Sequence, residues 1–277
     1  MLTQNLALVS TSNQTNAADV AATASAIQKQ VTRDLAPIWG IQATVDYFPD
    51  MDSIPVGYWP IVICDNINQQ GALGYHTDNN NQPISYVQVD QTWQLTCSHE
   101  ALEMLVDPFG NRMVAGDSID PQNPSRVNYL VEVCDPCEDA SFAYSINGVL
   151  VSDFYTPQYF DPVTSNGVRY SFTGSLTQPK QVQLNGYLSW LDPISGQWYQ
   201  ATYFGDSVAI NPLNGMQNTR ESLRSQIDRL TKNPNKTAPF EEANEKHKAI
   251  QEKTVVAAKA IANSRRIELI KKGFLRA

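Results

Sequence analysis

The sequence predicts an α+β fold, with a mixed sheet, one long helix and a second, polar-striped helix in the N-terminal half, antiparallel β hairpins in the middle and a helical C-terminal tail. The first observation behind this prediction is that short β-branched and aromatic runs alternate with stretches whose apolar residues recur at helical spacing. The second is a pair of strand–turn–strand patterns in the middle of the chain. With 277 residues, 42% of them hydrophobic and 17% charged, the chain can bury a substantial core.

In the N-terminal half, one strand leads into a long helix, and further strands precede a second helix. Residues 16–39 carry Val20, Ala24 and Ile27 at helical spacing, which predicts a single amphipathic helix. The strands are predicted from their β-branched and aromatic residues, and they cover residues 6–10, 41–48, 58–64 and 84–89.

The second helix, predicted in residues 96–108, carries the most informative pattern of the chain. At 3.6 residues per turn, four polar side chains fall within an arc of about 100°, namely His99, Glu100, Glu103 and Asp107. The residues from 101 to 106 other than Glu103 are apolar, so the helix is predicted to be largely buried with a narrow polar strip. That strip contains only residue types that bind metals or transfer protons.

The spacing within this strip predicts a metal site. His99 and Glu103 are four residues apart and can converge on one ion, while Glu100 points to one side, where it can hold a metal-bound water. No basic residue occurs between Arg33 and Arg112. Carboxylates on a buried helix repel one another unless a cation or shared protons compensate. A divalent metal is the simplest such cation.

The pattern His-Glu-x-x-Glu resembles the His-Glu-x-x-His helix of the zincin metallopeptidases, with Glu103 where that family has its second histidine. The predicted order of strands and helices also resembles the N-terminal half of many zincins, and the resemblance covers roughly the first half of the chain. It implies a sheet-edge strand before the metal helix that binds extended substrate, so residues 71–89 would line the cleft.

Glu132 is the preferred third metal ligand. Residues 127–134 read as a strand in which Glu132 shares a face with Leu130 and Cys134, and a carboxylate in an apolar run is costly unless it is paired or bound to a metal. Asp135 is a weaker alternative.

Asp107 and His76 are further candidates on the helix and on the predicted edge strand. Asp107 shares the helix face but lies two turns beyond His99, about 12 Å along the axis, and its position before Pro108 predicts a helix end. His76 is an alternative metal ligand, a substrate contact or a surface residue.

The middle of the chain predicts antiparallel structure and two more candidate site residues. The segment 143–151 has Asn147-Gly148 at its centre, which suits a hairpin turn, and a second hairpin is predicted in residues 187–203. Tyr155 and Tyr159 follow the first hairpin and are candidates to stabilise an oxyanion, with simple packing as the alternative for each. Four cysteines, at 64, 97, 134 and 137, leave free thiols and disulfides both open.

Charge divides the chain into an acidic body, residues 1–216, and a basic tail, residues 217–277. The body has 6 basic and 21 acidic residues and the tail 14 and 7, giving about −15 and +7. The tail is predicted to be helical in residues 219–231 and 239–272 and to dock on the acidic body or on a partner. An acidic body offers no phosphate-neutralising patch, so no nucleic acid partner is expected.

Nothing in the sequence predicts a membrane span or a Sec signal peptide, which leaves cytoplasm, a non-Sec export route or a particle as the location. The sequence thus predicts a zinc-dependent metallohydrolase that acts on a peptide or protein, with zinc held by His99, Glu103 and Glu132 and Glu100 as general base. The alternative is a non-catalytic structural or adhesion module, such as a component of a secreted or phage-like particle, whose carboxylates bind Ca²⁺ or whose zincin site is degenerate.

Overall fold

A five-stranded mixed sheet organises the N-terminal half of the computed structural model, which describes residues 3–69, 72–79, 81–219 and 221–231. The strand order is β2-β1-β3-β5-β4, in which β4 runs antiparallel to β5 and the other pairs are parallel. The elements of this half are β1 (Thr3–Ser10), α1 (Ala17–Gln30), α2 (Ala36–Trp39), β2 (Gln42–Phe48), β3 (Tyr58–Cys64), β4 (Gly74–Asn79), β5 (Gln82–Gln88) and α3 (Trp93–Val106).

The long helix predicted for residues 16–39 is confirmed as one continuous helical stretch. The Asn16 side chain accepts a hydrogen bond from the backbone N–H of Asp19 and so caps α1. A π-helical turn, Val31–Leu35, joins α1 to α2, and Gly40 ends the stretch with a left-handed φ of 68°. The predicted apolar face is buried against the sheet, because Val20, Ala24 and Ile27 all lie in the main core.

The helix that carries the His-Glu-x-x-Glu pattern is α3, which follows β5 after a short turn. It is buried almost all the way round, from Cys97 to Val106, as its apolar composition predicts. The helix ends at Asp107, before Pro108, so the predicted helix end is confirmed.

Antiparallel structure forms the rest of the described chain. A second five-stranded sheet has the order β12-β11-β10-β7-β6, and β8 and β9 form the hairpin predicted around Asn147-Gly148, whose φ angles of 54° and 85° suit the predicted turn. The elements are β6 (Met113–Asp117), β7 (Arg126–Leu130), β8 (Tyr144–Ile146), β9 (Val149–Val151), β10 (Tyr187–Leu191), β11 (Trp198–Thr202), β12 (Ala209–Pro212) and α4 (Leu223–Leu230). The chain is therefore of mixed α/β structure.

Two details of the predicted strands are wrong. The strand directly before α3, β5, lies inside the first sheet, and the edge strand is β4, which the sequence pattern did not resolve from its neighbour. The strand predicted for residues 127–134 ends at Leu130, because β7 pairs with its neighbours only to that residue. The residues that follow are nevertheless buried, as their apolar composition predicts.

The helix predicted for residues 219–231 is present as α4, which packs on the body of the protein. Ile227 is fully buried in a cluster with Leu130, Tyr187 and Trp198. The second tail helix, predicted for residues 239–272, lies outside the described residues, so the division of the chain at residue 216 stays a prediction. Within the described residues, no helix combines the length and the hydropathy that a membrane crossing requires.

Candidate metal centre

His99 and Glu103, predicted to converge from one face of α3, do meet in the interior. His99 Nε2 lies 3.2 Å from Glu103 Oε2, and it also lies 3.3 Å from Asp135 Oδ1. The other oxygen of Glu103, Oε1, accepts a hydrogen bond of 3.1 Å from the backbone N–H of Cys134. Three titratable side chains from two segments of the chain therefore face one point.

The backbone of Asp135 is packed tightly against Gly186, the residue before β10. Asp135 opens a short 3₁₀ turn, Asp135–Cys137, directly after the buried residues that follow β7. A Cβ atom at Gly186 would lie 2.7 Å from the carbonyl oxygens of both Asp135 and Pro136. A side chain at position 186 would clash with these backbone oxygens, so glycine is required for the turn to pack this closely.

A buried arginine from α4 enters the same cluster, and sequence reasoning missed it. The guanidinium of Arg224 lies 3.2 Å from Glu103 Oε2 and 3.2 Å from Glu132 Oε2. It also contacts Asp135 Oδ2, and its Nε lies 3.0 Å from Asp228. The side chain of Arg224 is only 3% exposed, so these carboxylates are its partners in place of water.

The backbone of Arg224 is held as firmly as its guanidinium. Its N–H donates to the carbonyl of Gly110 at 3.0 Å, and a Cβ atom at Gly110 would lie 2.7 Å from the Cβ of Arg224. The basic stretch that contains Arg224 gave no signal that this one residue is buried, because contacts with α3 and the Asp135 turn arise only in the folded chain.

The absence of basic residues between Arg33 and Arg112 suggested that a metal offsets the carboxylates of α3. Arg224, distant in sequence, supplies part of that positive charge. It does not balance the cluster, however. Six carboxyl groups are buried around it: Glu100, Glu103, Asp107, Glu132, Asp135 and Asp228. With neutral histidines this leaves a formal charge of −5, and with both His76 and His99 protonated it leaves −3. Buried negative charge is costly, and either protonated histidines or a bound cation can offset it.

The environment shifts the pKa values of the cluster members in opposite directions. Burial opposes ionisation of Glu103, but Arg224 and His99 hold the pKa of its carboxyl below the ordinary value. Burial also disfavours the imidazolium of His99, yet Glu103 and Asp135 raise its pKa well above the usual range. Burial raises the pKa of Glu132 well above its usual value against the pull of Arg224. In the same way, burial raises the pKa of Asp228 to about 7.

Glu100, predicted to point to one side of the His99–Glu103 pair, lies beside His76 of the edge strand β4. The distance from Glu100 Oε2 to His76 Nδ1 is 3.5 Å, and His76 Nε2 donates a 3.0 Å hydrogen bond to the carbonyl of Asp107. His76 is fully buried, so the expectation that it is a surface residue is wrong. The edge strand approaches Glu100 closely, because a Cβ atom at Gly74 would lie 2.8 Å from Glu100 Oε1.

Several oxygen atoms of the cluster are buried without a hydrogen bond from any described residue. They are Glu100 Oε2, Glu103 Oε2, both carboxyl oxygens of Glu132, and Asp135 Oδ1, and His76 Nδ1 is in the same state. Glu103 Oε2 and Glu132 Oε2 still lie 3.2 Å from Arg224, and Asp135 Oδ1 lies 3.3 Å from His99. Buried polar atoms in native proteins are almost always satisfied, so a bound cation fits best beside those that lack such a charged neighbour.

The remaining predicted site residues occupy different positions. Asp107 ends α3, and its carboxylate accepts a hydrogen bond from the backbone N–H of Arg112, so it is held away from the His99 point. Glu132 lies in the cluster on the side of Arg224, and its oxygens are within 4.8 Å of those of Glu103 and Asp135. No disulfide forms among the described cysteines.

The two predicted tyrosines stack on each other, with ring centres 4.3 Å apart. The hydroxyl of Tyr159 donates to the carbonyl of Gln181 and is thus occupied in packing. The Tyr155 hydroxyl is buried without a hydrogen bond to any described residue. Burial raises the pKa of Tyr155 well above its usual value, and the charges of Glu132 and Glu103 raise it further.

No protein-family model, curated protein or solved structure matches this chain.

Proposed function

We propose that this chain is a zincin-like metallohydrolase that holds a zinc ion between His99, Glu103 and Asp135. The observation that carries the proposal is the spacing of the ligand atoms. Around a tetrahedral zinc with bonds of about 2.0 to 2.2 Å, neighbouring ligand atoms are about 3.3 to 3.6 Å apart. His99 Nε2 lies 3.2 Å and 3.3 Å from the two carboxylate oxygens, so two of the three ligand pairs are close to that spacing.

The chemistry of the donors favours zinc over calcium. Calcium takes six to eight oxygen ligands, whereas imidazole nitrogen and carboxylate oxygen are both zinc ligands and four ligands suffice. Both carboxylates keep a second contact, Glu103 to Cys134 and Asp135 to Arg224, which orients the oxygen that faces His99. Zinc lowers the pKa of a bound water to about 7, which supplies a nucleophile at neutral pH.

Glu100 is the proposed general base, because its carboxylate lies between the metal ligands and the edge strand. One of its oxygens is free of hydrogen bonds to described residues, and the other lies against Gly74 at the start of β4. An extended peptide paired with β4 would pass this carboxylate, and a positioned carboxylate can take the proton of an attacking water. The substrate class that follows is a peptide or protein in extended conformation.

The burial of the site supports a second candidate function. The side chain of His99 is 11% exposed, while those of Glu103 and Asp135 are 0% and 3% exposed. Closed sites of this kind are typical of structural metals, whereas catalytic sites keep an open position. The alternative is therefore a non-catalytic module in which the ion and Arg224 together hold the two halves of the fold.

The third ligand can be tested with a matched pair of variants. Asp135→Asn is expected to weaken zinc binding by about 100-fold or more, since even partners of ligands contribute about 10- to 100-fold. Glu132→Gln is expected to change the affinity by less than about tenfold, because Glu132 contacts Arg224 and not His99. Competition with a chromogenic chelator measures both. The reverse order would show that Glu132, the ligand predicted from sequence, is the correct one.

The role of Glu100 can be tested by hydrolysis of fluorescein-labelled, unfolded casein. Glu100→Gln is expected to retain the ion bound through His99 and to lower the rate by about 10²- to 10⁴-fold, the usual contribution of a general base. Glu221→Gln, on a half-exposed surface carboxylate, is the control and should match the parent protein. A zinc-loaded parent protein without hydrolysis of this or other extended substrates would favour the non-catalytic alternative.

A further inference from the structure

His76 and Glu100 form a buried pair that is longer than a good hydrogen bond. His76 Nδ1 and Glu100 Oε2 are 3.5 Å apart, which is longer than the 2.7 to 3.2 Å of a good N–H···O hydrogen bond. Both atoms are buried, and neither has a hydrogen bond to a described residue. Two facing acceptors in the interior repel each other unless a proton or a cation lies between them.

The second nitrogen of His76 is arranged as it is in metal-bound histidines. Nε2 donates to the backbone carbonyl of Asp107 at 3.0 Å, which fixes the ring and, in the neutral form, leaves the lone pair on Nδ1. Histidine ligands almost always donate their other N–H to a carbonyl, carboxylate or water. The carbonyl of Asp107 is available because it ends α3.

Glu103 completes the group. One ligand atom each from His76, Glu100 and Glu103 lies within 4.8 Å of the others, and all three residues are buried. We propose that these three residues form a second divalent-cation site, adjacent to the zinc site and sharing Glu103 with it. The inference rests on the proposed function in that Glu103 would bridge the two ions, as carboxylates do in two-metal sites. Glu100 would hold the second ion through Oε2, and its Oε1, on the Gly74 side, would remain for proton transfer.

The charge of the cluster accommodates a second ion. With the six buried carboxyl groups, Arg224 and neutral histidines, one divalent ion leaves a formal charge between −3 and −1, depending on whether Glu132 and Asp228 carry protons. Two divalent ions bring it to between −1 and +1.

The test is a zinc titration of the full chain, stripped of metal with chelator, followed by equilibrium dialysis and metal analysis. His76→Gln is the informative variant, because its amide can still donate to the Asp107 carbonyl but places no ligand at the Nδ1 position. The parent protein is expected to bind two zinc ions per chain and His76→Gln one. Glu100→Gln gives an independent second variant, also expected to bind one, and His99→Ala should lose the other ion.

The outcomes separate the two proposals. One zinc ion per chain in both the parent and His76→Gln would overturn the second site, leave the first in place and mean that a protonated His76 simply pairs with Glu100. Two ions reduced to one in either His76→Gln or Glu100→Gln, with the circular dichroism spectrum unchanged, would support it. Loss of one ion in His99→Ala tests the first site alone, and no zinc in the parent protein would overturn both.

Discussion

Replacing Arg224 with methionine is expected to lower the free energy of unfolding of the metal-free protein by about 3 to 5 kcal/mol, the usual cost of removing one partner from a buried ion cluster. The guanidinium contacts Glu103, Glu132, Asp135 and Asp228, and its loss leaves these carboxyl groups without their shared cation. Methionine keeps the length of the side chain, so the change tests charge more than packing. Urea unfolding followed by circular dichroism measures the effect.

Arg229→Met is the matched control, because Arg229 lies on the same helix but is half exposed and pairs with a surface carboxylate, Glu221. Exposed ion pairs contribute about 0 to 1 kcal/mol, so the control should unfold nearly as the parent does. Equal effects of the two substitutions would contradict the view that Arg224 is the buried counter-charge of the site.

The second large effect is expected from the end of the chain. Deleting residues 217–277 removes α4, and with it the buried Ile227 and Arg224, so the remaining chain should lose its cooperative thermal transition. Deleting only residues 232–277 keeps α4 and the Thr231 hydroxyl that accepts a hydrogen bond from Gln200, and this chain should retain the transition. The comparison assigns the effect to residues 217–231. Two deletions of equal stability would show that the body folds without α4 and would favour the division at residue 216.

Local patterns predicted much of the fold. The helix over residues 16–39 and strand β3 follow from the spacing and composition of their own residues, without any contact to a distant segment. The Asn147-Gly148 turn follows from the left-handed backbone conformation that these two residues tolerate. The meeting of His99 and Glu103 is local for the same reason, since residues four apart share a helix face.

The rest of the site depends on contacts between distant segments. Asp135 and Glu132 are three residues apart and both buried, and the sequence favoured Glu132 because residues 127–134 read as one strand. The strand ends at Leu130, and the turn held against Gly186 brings Asp135 and not Glu132 to within 3.3 Å of His99. The burial of Arg224 likewise results from the docking of α4 on the body. The spacing of apolar residues along α4 does not predict which of its basic residues is buried.

Metal analysis of the protein, purified without chelator, tests the central claim most directly. The parent protein is expected to carry at least one zinc ion per chain, and His99→Ala should carry one fewer, because His99 supplies the nitrogen ligand at 3.2 Å and 3.3 Å from the two carboxylate oxygens. A parent protein that binds no zinc even when it is supplied, or a His99→Ala variant with unchanged zinc content, would contradict the account.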